Sequence, residues 1–447
     1  MGVGGPGMSA IALLLVQMGH RVTGSDVRDS DVVAQLRSAG ILITIGHDAS
    51  VVHGADVVTY STAIPVTNVE LLEANRLGIP IRHRSGMLAS ICAVTNAVGV
   101  AGTHGKTTTS ALLATILTAA GEMPSSIIGA ELLGTGVGAA YGDGSILVIE
   151  ADESDGTLDV LPLRSLIVTN VDVDHLDYFE SFEALKESFA AVVSRTVSKV
   201  VLNADDEGSA GLITLFAHLD RVSTFGVSPD ASVRITSVIS TESGTDVQLT
   251  INDASYESHL PLRGAHNARN LAAAVAMAVQ LGVDPQVACA AVESFSGVAR
   301  RFAERGAFRG ALLIDDYAHL PAEIEAAIAA AQSHPQATRR TVAVFQPNRY
   351  HRIAAMATSY AHCFSAADRV VITDVYASGT TRIPGVTGEL VVDAIRSANP
   401  NADIVWAPTR QDTVAAVSGW LQPGDVCISM GCGDIETFPD DLLRVES

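Results

Sequence analysis

A chain that runs from an apolar stretch through Gly102-Thr103-His104-Gly105-Lys106-Thr107-Thr108 into a helical stretch has few folds open to it. Val98 to Ala101 reads as a buried strand and Ser110 to Ala120 as a helix, so the glycines fall in the turn between them. That order surrounds an anion with backbone N–H groups and a helix N-terminus. Lys106 can reach β- and γ-phosphates, and the Thr107 hydroxyl can bind the Mg²⁺ that accompanies them. The longer form of such loops has a further glycine five residues before Gly105. Val100 stands there, which leaves the shorter Gly-x-x-Gly-Lys-Thr. The competing reading is a glycine turn that only caps a core helix, and Lys-Thr-Thr-Thr at the helix start weighs against it.

The bulk properties agree with an α/β enzyme. A length of 447 residues suits two to four domains, each with its own core. Hydrophobic residues make up 48% and aromatic residues 5%, the profile of buried parallel strands rich in Ala and Val. A formal net charge of −21 argues against nucleic acid as a partner, and it means that an anionic substrate needs a local cationic site. Cys92, Cys289, Cys363, Cys427 and Cys432 match neither a zinc pattern nor a disulfide framework, so a reducing, cytoplasmic location is expected. No apolar run reaches membrane-spanning length and no signal peptide is evident, so membrane insertion is not expected.

The pattern predicts an α/β fold in three domains: a Rossmann-like domain at 1–90, a central P-loop ATPase-like domain at 91–297 and a C-terminal Rossmann-like domain at 298–447. The first opens with Gly2-Val3-Gly4-Gly5-Pro6-Gly7-Met8-Ser9, an apolar helix, and a strand ending at Ser25-Asp26. Glycine turn, helix, strand and terminal acid form a dinucleotide-type pattern with Asp26 placed for a ribose hydroxyl. Alone it would suggest NAD, but the second nucleotide loop downstream makes a redox reading weaker. The strand that should precede Gly2 is expected upstream of Met1. In the central domain, strands end in Glu150, in Thr169-Asn170 and in Asn203-Ala204-Asp205-Asp206, which delivers polar tips to one sheet edge beside the loop. Residues 232–261 alternate apolar and polar residues and predict an antiparallel insert. In the last domain, strands lead into Asp315-Asp316-Tyr317-Ala318-His319, into Gln346-Pro347-Asn348-Arg349-Tyr350-His351-Arg352 and into Gly431-Cys432-Gly433-Asp434.

These residues, taken in order, resemble the Mur ligases, the ATP-dependent amino-acid ligases of peptidoglycan synthesis. The resemblance is carried by Gly102 to Thr108, Glu150-Ala-Asp-Glu-Ser-Asp155, Thr169-Asn170 through His175, His266-Asn267-Ala268-Arg269-Asn270, Gly297-Val298-Ala299-Arg300-Arg301-Phe302, Asp315 to His319, Phe345-Gln346-Pro347-x-Arg349-Tyr350 and Ile383-Pro384-Gly385. Within the family, the opening glycine loop and Glu-Ala-Asp-Glu-Ser-Asp are similar to those of members that join L-alanine to UDP-N-acetylmuramate. Three positions depart from the family pattern: Leu320 replaces the second of two histidines, Asn348 replaces a histidine, and Gly86 replaces a glutamate.

The resemblance implies ligation of L-alanine to the lactyl carboxylate of UDP-N-acetylmuramate through an acyl phosphate, with ATP and Mg²⁺, by a monomer or homodimer. It implies ATP contacts by Gly102, Thr103, His104, Gly105, Lys106, Thr107, Thr108, Asn270 and Arg301. It places metal at Thr107, Glu150 and His175, and the UDP-sugar at Gly4, Gly5, Gly7, Asp26 and Ser61. It places the amino acid at Tyr317, Arg349 and Arg352, and gives catalytic roles to Lys106, His175, His319 and Arg349. Acids beside His175 (Asp172, Asp174, Asp177) read as helix caps or solvated charges, and Asn267 and Asn270 have helix capping as their competing role. Arg300 has a surface charge as its competing role, and the sequence leaves open which of Arg300 and Arg301 points inward. Two other functions stay open: attachment of a preformed tripeptide to the same UDP-sugar, and nucleotide binding without catalysis.

Overall fold

In the computed structural model, residues 1–130, 138–153, 156–173 and 179–446 are described. The chain forms two compact units. One comprises residues 1–236, 248–258 and 269–296; the other comprises 237–247, 259–268 and 297–447.

The first unit begins with two pairs of parallel strands. β1 (Thr23–Asp26) pairs with β2 (Leu42–Ile45), and β3 (Val58–Tyr60) pairs with β4 (Ile81–His83). Met1, Gly2 and Val3 bind both pairs: the Gly2 and Val3 amides donate to Ser25 O at 2.8 and 3.1 Å, and the Met1 amino group donates to Thr59 O at 2.7 Å. The helix Pro6–Gln17 follows, with Gly5 at its N-cap and Pro6 in its first turn, where a missing N–H leaves no orphan donor.

A ten-stranded sheet follows. Its strands are β5 (Asn96–Ala101), β6 (Ser125–Ile127), β7 (Ala139–Ala140), β8 (Ile146–Glu150), β9 (Ser165–Val168), β10 (Val200–Asn203), β11 (Val222–Gly226), β12 (Val233–Ser240), β13 (Thr245–Ile251) and β14 (Ala254–Leu260). They lie in the order β14-β13-β12-β11-β10-β9-β5-β8-β6-β7. The expected insert is the end run β12 to β14. Its burial alternates along β13, so one face is covered and the other is not. At the centre, β10, β9, β5 and β8 run parallel as immediate neighbours. Parallel neighbours share a direction, so the three polar strand tips expected from the sequence do meet at one sheet edge. The core behind them joins Met8, Ile11 and Leu14 of the first helix to Leu147, Ile149, Leu166 and Phe189.

The second unit carries a six-stranded sheet: β15 (Ala303–Phe308), β16 (Ala311–Asp316), β17 (Thr341–Phe345), β18 (Arg369–Ile372), β19 (Ile404–Trp406) and β20 (Val426–Met430), in the order β15-β16-β20-β17-β18-β19. Only β15 is antiparallel; it pairs with β16 at one edge. Apolar clusters cover both faces, one around Phe345, Tyr360 and Ile428, the other around Phe308, Val342 and Phe438. Such two-sided burial explains the uninterrupted apolar runs of β17 and β20. No helix among the described residues is long and apolar enough to cross a membrane.

Candidate nucleotide and acceptor sites

The loop after β5 is held by the tip of β9. The Thr169 hydroxyl donates to His104 O at 2.6 Å, and Asn170 receives the His104 amide at 2.8 Å while its Nδ2 donates to His104 O at 3.0 Å. The two glycines are conformational necessities. Gly102 has φ +126°, and a Cβ there would run into Thr169 Oγ1 and the Asn170 backbone. Gly105 has φ +79° and N-caps the helix Lys106–Ala119; a Cβ there would run into Asn270 Oδ1. Thr103 and Asp172 close the loop: the Asp172 amide donates to Thr103 Oγ1 at 2.9 Å, and the Thr103 hydroxyl is 3.2 Å from Asp172 O. Asp172 is thus tied to the loop through its backbone, and its half-exposed carboxylate lies 3.3 Å from His104 Nε2.

Both functional side chains of the loop meet a carboxylate, one at the end of β8 and one three residues beyond it. Thr107, 5% exposed, donates to Glu150 Oε1 at 3.1 Å, and Glu150 Oε2 accepts the Gly129 amide at 2.8 Å. Lys106 donates to both oxygens of Glu153 at 3.0 Å and to Gly102 O at 2.6 Å. Burial alone would pull the Lys106 pKa down, but Glu153, Asp152 and Glu150 outweigh it and hold the ammonium above its ordinary value. A hydroxyl and a carboxylate converging beside the phosphate loop are the hard oxygen donors Mg²⁺ prefers. The third expected metal residue, His175, lies outside the described residues, as do Asp174 and Asp177. Among the described residues no group of three His, Cys, Asp or Glu side chains converges as a metal cage.

Asn267 and Asn270 are not caps. The helix Ala265–Gln280 starts before both, and Asn267 Nδ2 donates to Arg263 O at 2.8 Å. Asn270 instead packs on Gly105 of the phosphate loop.

At the opening glycine loop, the Gly4 amide donates to Asp26 Oδ2 at 2.8 Å and the Arg28 amide to Oδ1 at 3.0 Å. Asp26 therefore fastens the loop to the end of β1. Ser61 faces Gly2, with its Oγ 3.2 Å from where a Cβ would stand. Gly5 and Gly7 lie at the helix entry. Two features escaped the sequence reading. The Arg84 guanidinium sits against Gly7. A buried network also links Ser25 to Glu70 (2.8 Å) and Glu70 to His47 (2.8 Å). Arg84 lies far along the chain from Gly7, and Glu70 reads as an ordinary first-turn acid, so neither carried a local signal.

In the second unit, parallel pairing of β16, β20 and β17 brings the segments after Asp316, Met430 and Phe345 to one edge. The Tyr317 ring receives Arg301 at 4.9 Å and Arg300 at 5.2 Å, and stacks edge-on against His319 at 5.6 Å. Of the two arginines the sequence left open, Arg300 is held inward by buried partners. Its guanidinium is 20% exposed and binds buried Asp315 (3.3 Å), Gly431 O (2.7 Å) and Glu436 (3.0 Å), because the turn at Arg300 (φ +59°) aims it inward. Asp316 accepts the Phe302 and Ala318 amides, both at 2.7 Å; burial, opposed by Arg301 and these amides, pushes its carboxyl up to about 6. His319 Nδ1 is 3.2 Å from both Tyr317 O and Glu323 Oε2. Leu320 is buried, and its amide donates to Glu323 at 3.1 Å at the entry of the helix Pro321–Gln332. Arg349 has φ +60° and N-caps the helix Tyr350–Met356, its amide held by Tyr376 O at 2.9 Å. Arg352 is 6% exposed and donates to Oδ1 of buried Asn348 at 3.0 Å. Burial raises the Cys432 thiol, with Arg352, Arg349 and Arg300 pulling the other way.

Comparison with known proteins agrees with this arrangement. Three family descriptions match in order: "Mur ligase family, catalytic domain" at residues 1–95, "Mur ligase middle domain" at 100–278 and "Mur ligase, glutamate ligase domain" at 300–433. The UDP-N-acetylmuramate–L-alanine ligase of Bradyrhizobium sp. is 39% identical over 97% of this chain and 94% of its own length. That of Rubrobacter xylanophilus is 39% identical over 99% and 98%. The crystal structure of the UDP-N-acetylmuramate–alanine ligase of Thermotoga maritima shares the three-domain α/β architecture, with TM-score 0.80 and 27% identity over 100% of this chain and 97% of that one. A murein peptide ligase from Psychrobacter arcticus, 24% identical with TM-score 0.70 over 99% of this chain and 97% of its own, shares the fold. With the phosphate loop, the acid-tipped strands and full-length relatives all in agreement, this chain belongs to the Mur ligase family.

Proposed function

We propose that the protein is a cytoplasmic ligase that uses ATP to join L-alanine to the lactyl carboxylate of UDP-N-acetylmuramate in peptidoglycan synthesis. The observation that carries this reading is the pair of couples at the loop, Lys106 with Glu153 and Thr107 with Glu150, which sets a cation and hard oxygen donors at the turn between β5 and the helix Lys106–Ala119. Full-length likeness to L-alanine ligases supports the choice of substrates.

A carboxylate and an amine do not condense at neutral pH, because oxide is a very poor leaving group. Attack of the lactyl carboxylate on the γ-phosphorus forms an acyl phosphate and releases ADP; amine attack then expels phosphate. Positioning and charge neutralisation are what the protein must supply. Lys106 neutralises the transferring phosphoryl group, with the Gly102 to Thr108 backbone around it. Thr107 and Glu150, with His175, are the assigned Mg²⁺ ligands; the bound ion supplies charge neutralisation at the phosphates. Asn270 and Arg301 are assigned to ATP. Gly4, Gly5, Gly7, Asp26 and Ser61 are assigned to the UDP-sugar on domain 1–90, ATP activation to domain 91–297 and the amino acid to domain 298–447.

Arg349 and Arg352 recognise the alanine carboxylate, a task suited to planar guanidinium forks. Tyr317 lines the same end. His319, which lies 3.2 Å from both Glu323 Oε2 and Tyr317 O, is assigned to take the proton that the incoming ammonium sheds.

The test is ADP release with UDP-N-acetylmuramate, run separately with L-alanine, glycine, L-serine and the tripeptide. Release that needs L-alanine and disappears in Lys106→Ala is expected. Release indifferent to the amine sinks the reading.

A further inference from the structure

Glu153 is not needed to bind anything in the proposed reaction, yet it is 1% exposed and has both carboxylate oxygens on one ammonium. A buried carboxylate is expensive unless it is paired, so an ammonium held by both of its oxygens points to its task. That partner is Lys106, whose side chain is 11% exposed and also donates to Gly102 O at 2.6 Å and Thr103 O at 3.4 Å. The couple is set by the fold rather than by the loop alone. β8 pairs with β5 through Val100↔Glu150, and the Ala151 amide donates to Val100 O at 2.9 Å, so Glu153 leaves the sheet beside the loop. Its carbonyl accepts the Gly156 amide at 3.4 Å, and Asp152 O accepts the Leu158 amide at 2.9 Å, which fixes the start of the chain after β8.

We propose that Glu153 is the positioning residue of Lys106: it holds the ammonium at the mouth of the phosphate loop before nucleotide arrives, and nucleotide then replaces one of its two carboxylate hydrogen bonds. The three ammonium protons face Gly102 O at 2.6 Å, the two Glu153 oxygens at 3.0 Å and, more weakly, Thr103 O at 3.4 Å, so a phosphate oxygen gains its hydrogen bond by turning the bidentate contact into a single one. The second carboxylate contact keeps the long lysine side chain from searching its rotamers, and a pre-oriented cation acts most strongly at the transition state. This inference rests on the reading of Lys106 as the phosphate lysine.

The test compares Glu153→Gln, Glu153→Asp and Lys106→Ala in the ADP-release assay, with ATP affinity measured by calorimetry. Glu153→Gln keeps volume and one acceptor but removes the charge that orients the ammonium. Its kcat is expected to fall about tenfold or more while ATP affinity stays within about threefold, the split that marks an interaction needed for the chemical step. Glu153→Asp, with a carboxylate one carbon shorter, is expected to restore part of kcat, a rescue that a merely structural role would not give, and it carries the test if Glu153→Gln does not fold. Parental kcat per folded molecule in Glu153→Gln overturns the proposal, even if the melting temperature drops. If Lys106→Ala itself keeps parental ADP release, the reading of the loop fails instead.

Discussion

Gly102→Ala is the sharpest perturbation of the phosphate loop. At φ +126° an alanine sits in a region that L-residues avoid, a strain of about 1–3 kcal/mol. Its methyl group would also meet Thr169 Oγ1, Asn170 O and Asn170 N, none of which can retreat easily: Thr169 and Asn170 hold His104, and Asn170 O accepts the Thr103 amide at 3.2 Å. Overpacking adds about 1–3 kcal/mol. If the loop relieves this by moving, nucleotide binding must restore the strained form, and a penalty of about 2–6 kcal/mol lowers kcat/KM for ATP roughly 30-fold or more. The UDP-sugar KM is expected to stay within about threefold, since that substrate is assigned to the opening glycine loop. Gly121→Ala is the matched control: Gly121 has φ +83° at the other end of the same helix but no atom within 4 Å of a Cβ. It should show only a modest loss of stability and parental kinetics. The assay is steady-state ADP release over a range of ATP. Gly102→Ala with kcat/KM for ATP within about threefold of the parent would refute the claim that the close approach shapes the site.

The second unit gives two further expectations. Arg300→Ala strips buried Asp315 of its nearest cation and should destabilise by about 3 kcal/mol, and Arg301→Ala should raise the KM for ATP; a melting temperature unchanged in Arg300→Ala, or a KM for ATP unchanged in Arg301→Ala, would contradict these assignments. Asp316 gives a pH signature. Its folded pKa of about 6 exceeds the ordinary 3.8, so the native state holds the extra proton between those values and this group's contribution to stability falls as pH rises from about 4 to 6, by at most about 3 kcal/mol. Parent and Asp316→Asn should therefore differ by a pH-dependent margin in thermal unfolding; a margin flat from pH 4 to 7 refutes it.

Local sequence placed the phosphate loop because its signals are contiguous: strand, glycines, lysine and helix follow one another within a dozen residues. The meeting of polar strand tips was also legible, since parallel strands must align their ends. What was not legible depends on distance along the chain or on direction. Glu153 read as one acid among several, and only the β5–β8 pairing shows that it faces Lys106. Arg300 and Arg301 are adjacent and chemically identical, and the backbone turn alone decides that one binds Asp315 while the other lies over Tyr317. Capping competed for Asn267 and Asn270 because a cap is judged from the helix start, and the helix begins at Ala265, before both. Asn348 stood out only as an unusual residue; its service to Arg352 emerges one helical turn later, where the two side chains meet.

The central claim is that the loop activates a carboxylate by phosphorylation. It is tested most directly with UDP-N-acetylmuramate carrying ¹⁸O in its lactyl carboxylate, turned over with ATP and L-alanine. An acyl phosphate transfers one carboxylate oxygen to the phosphate released, so each inorganic phosphate should carry one ¹⁸O. Alanine-dependent turnover that yields unlabelled phosphate would contradict it.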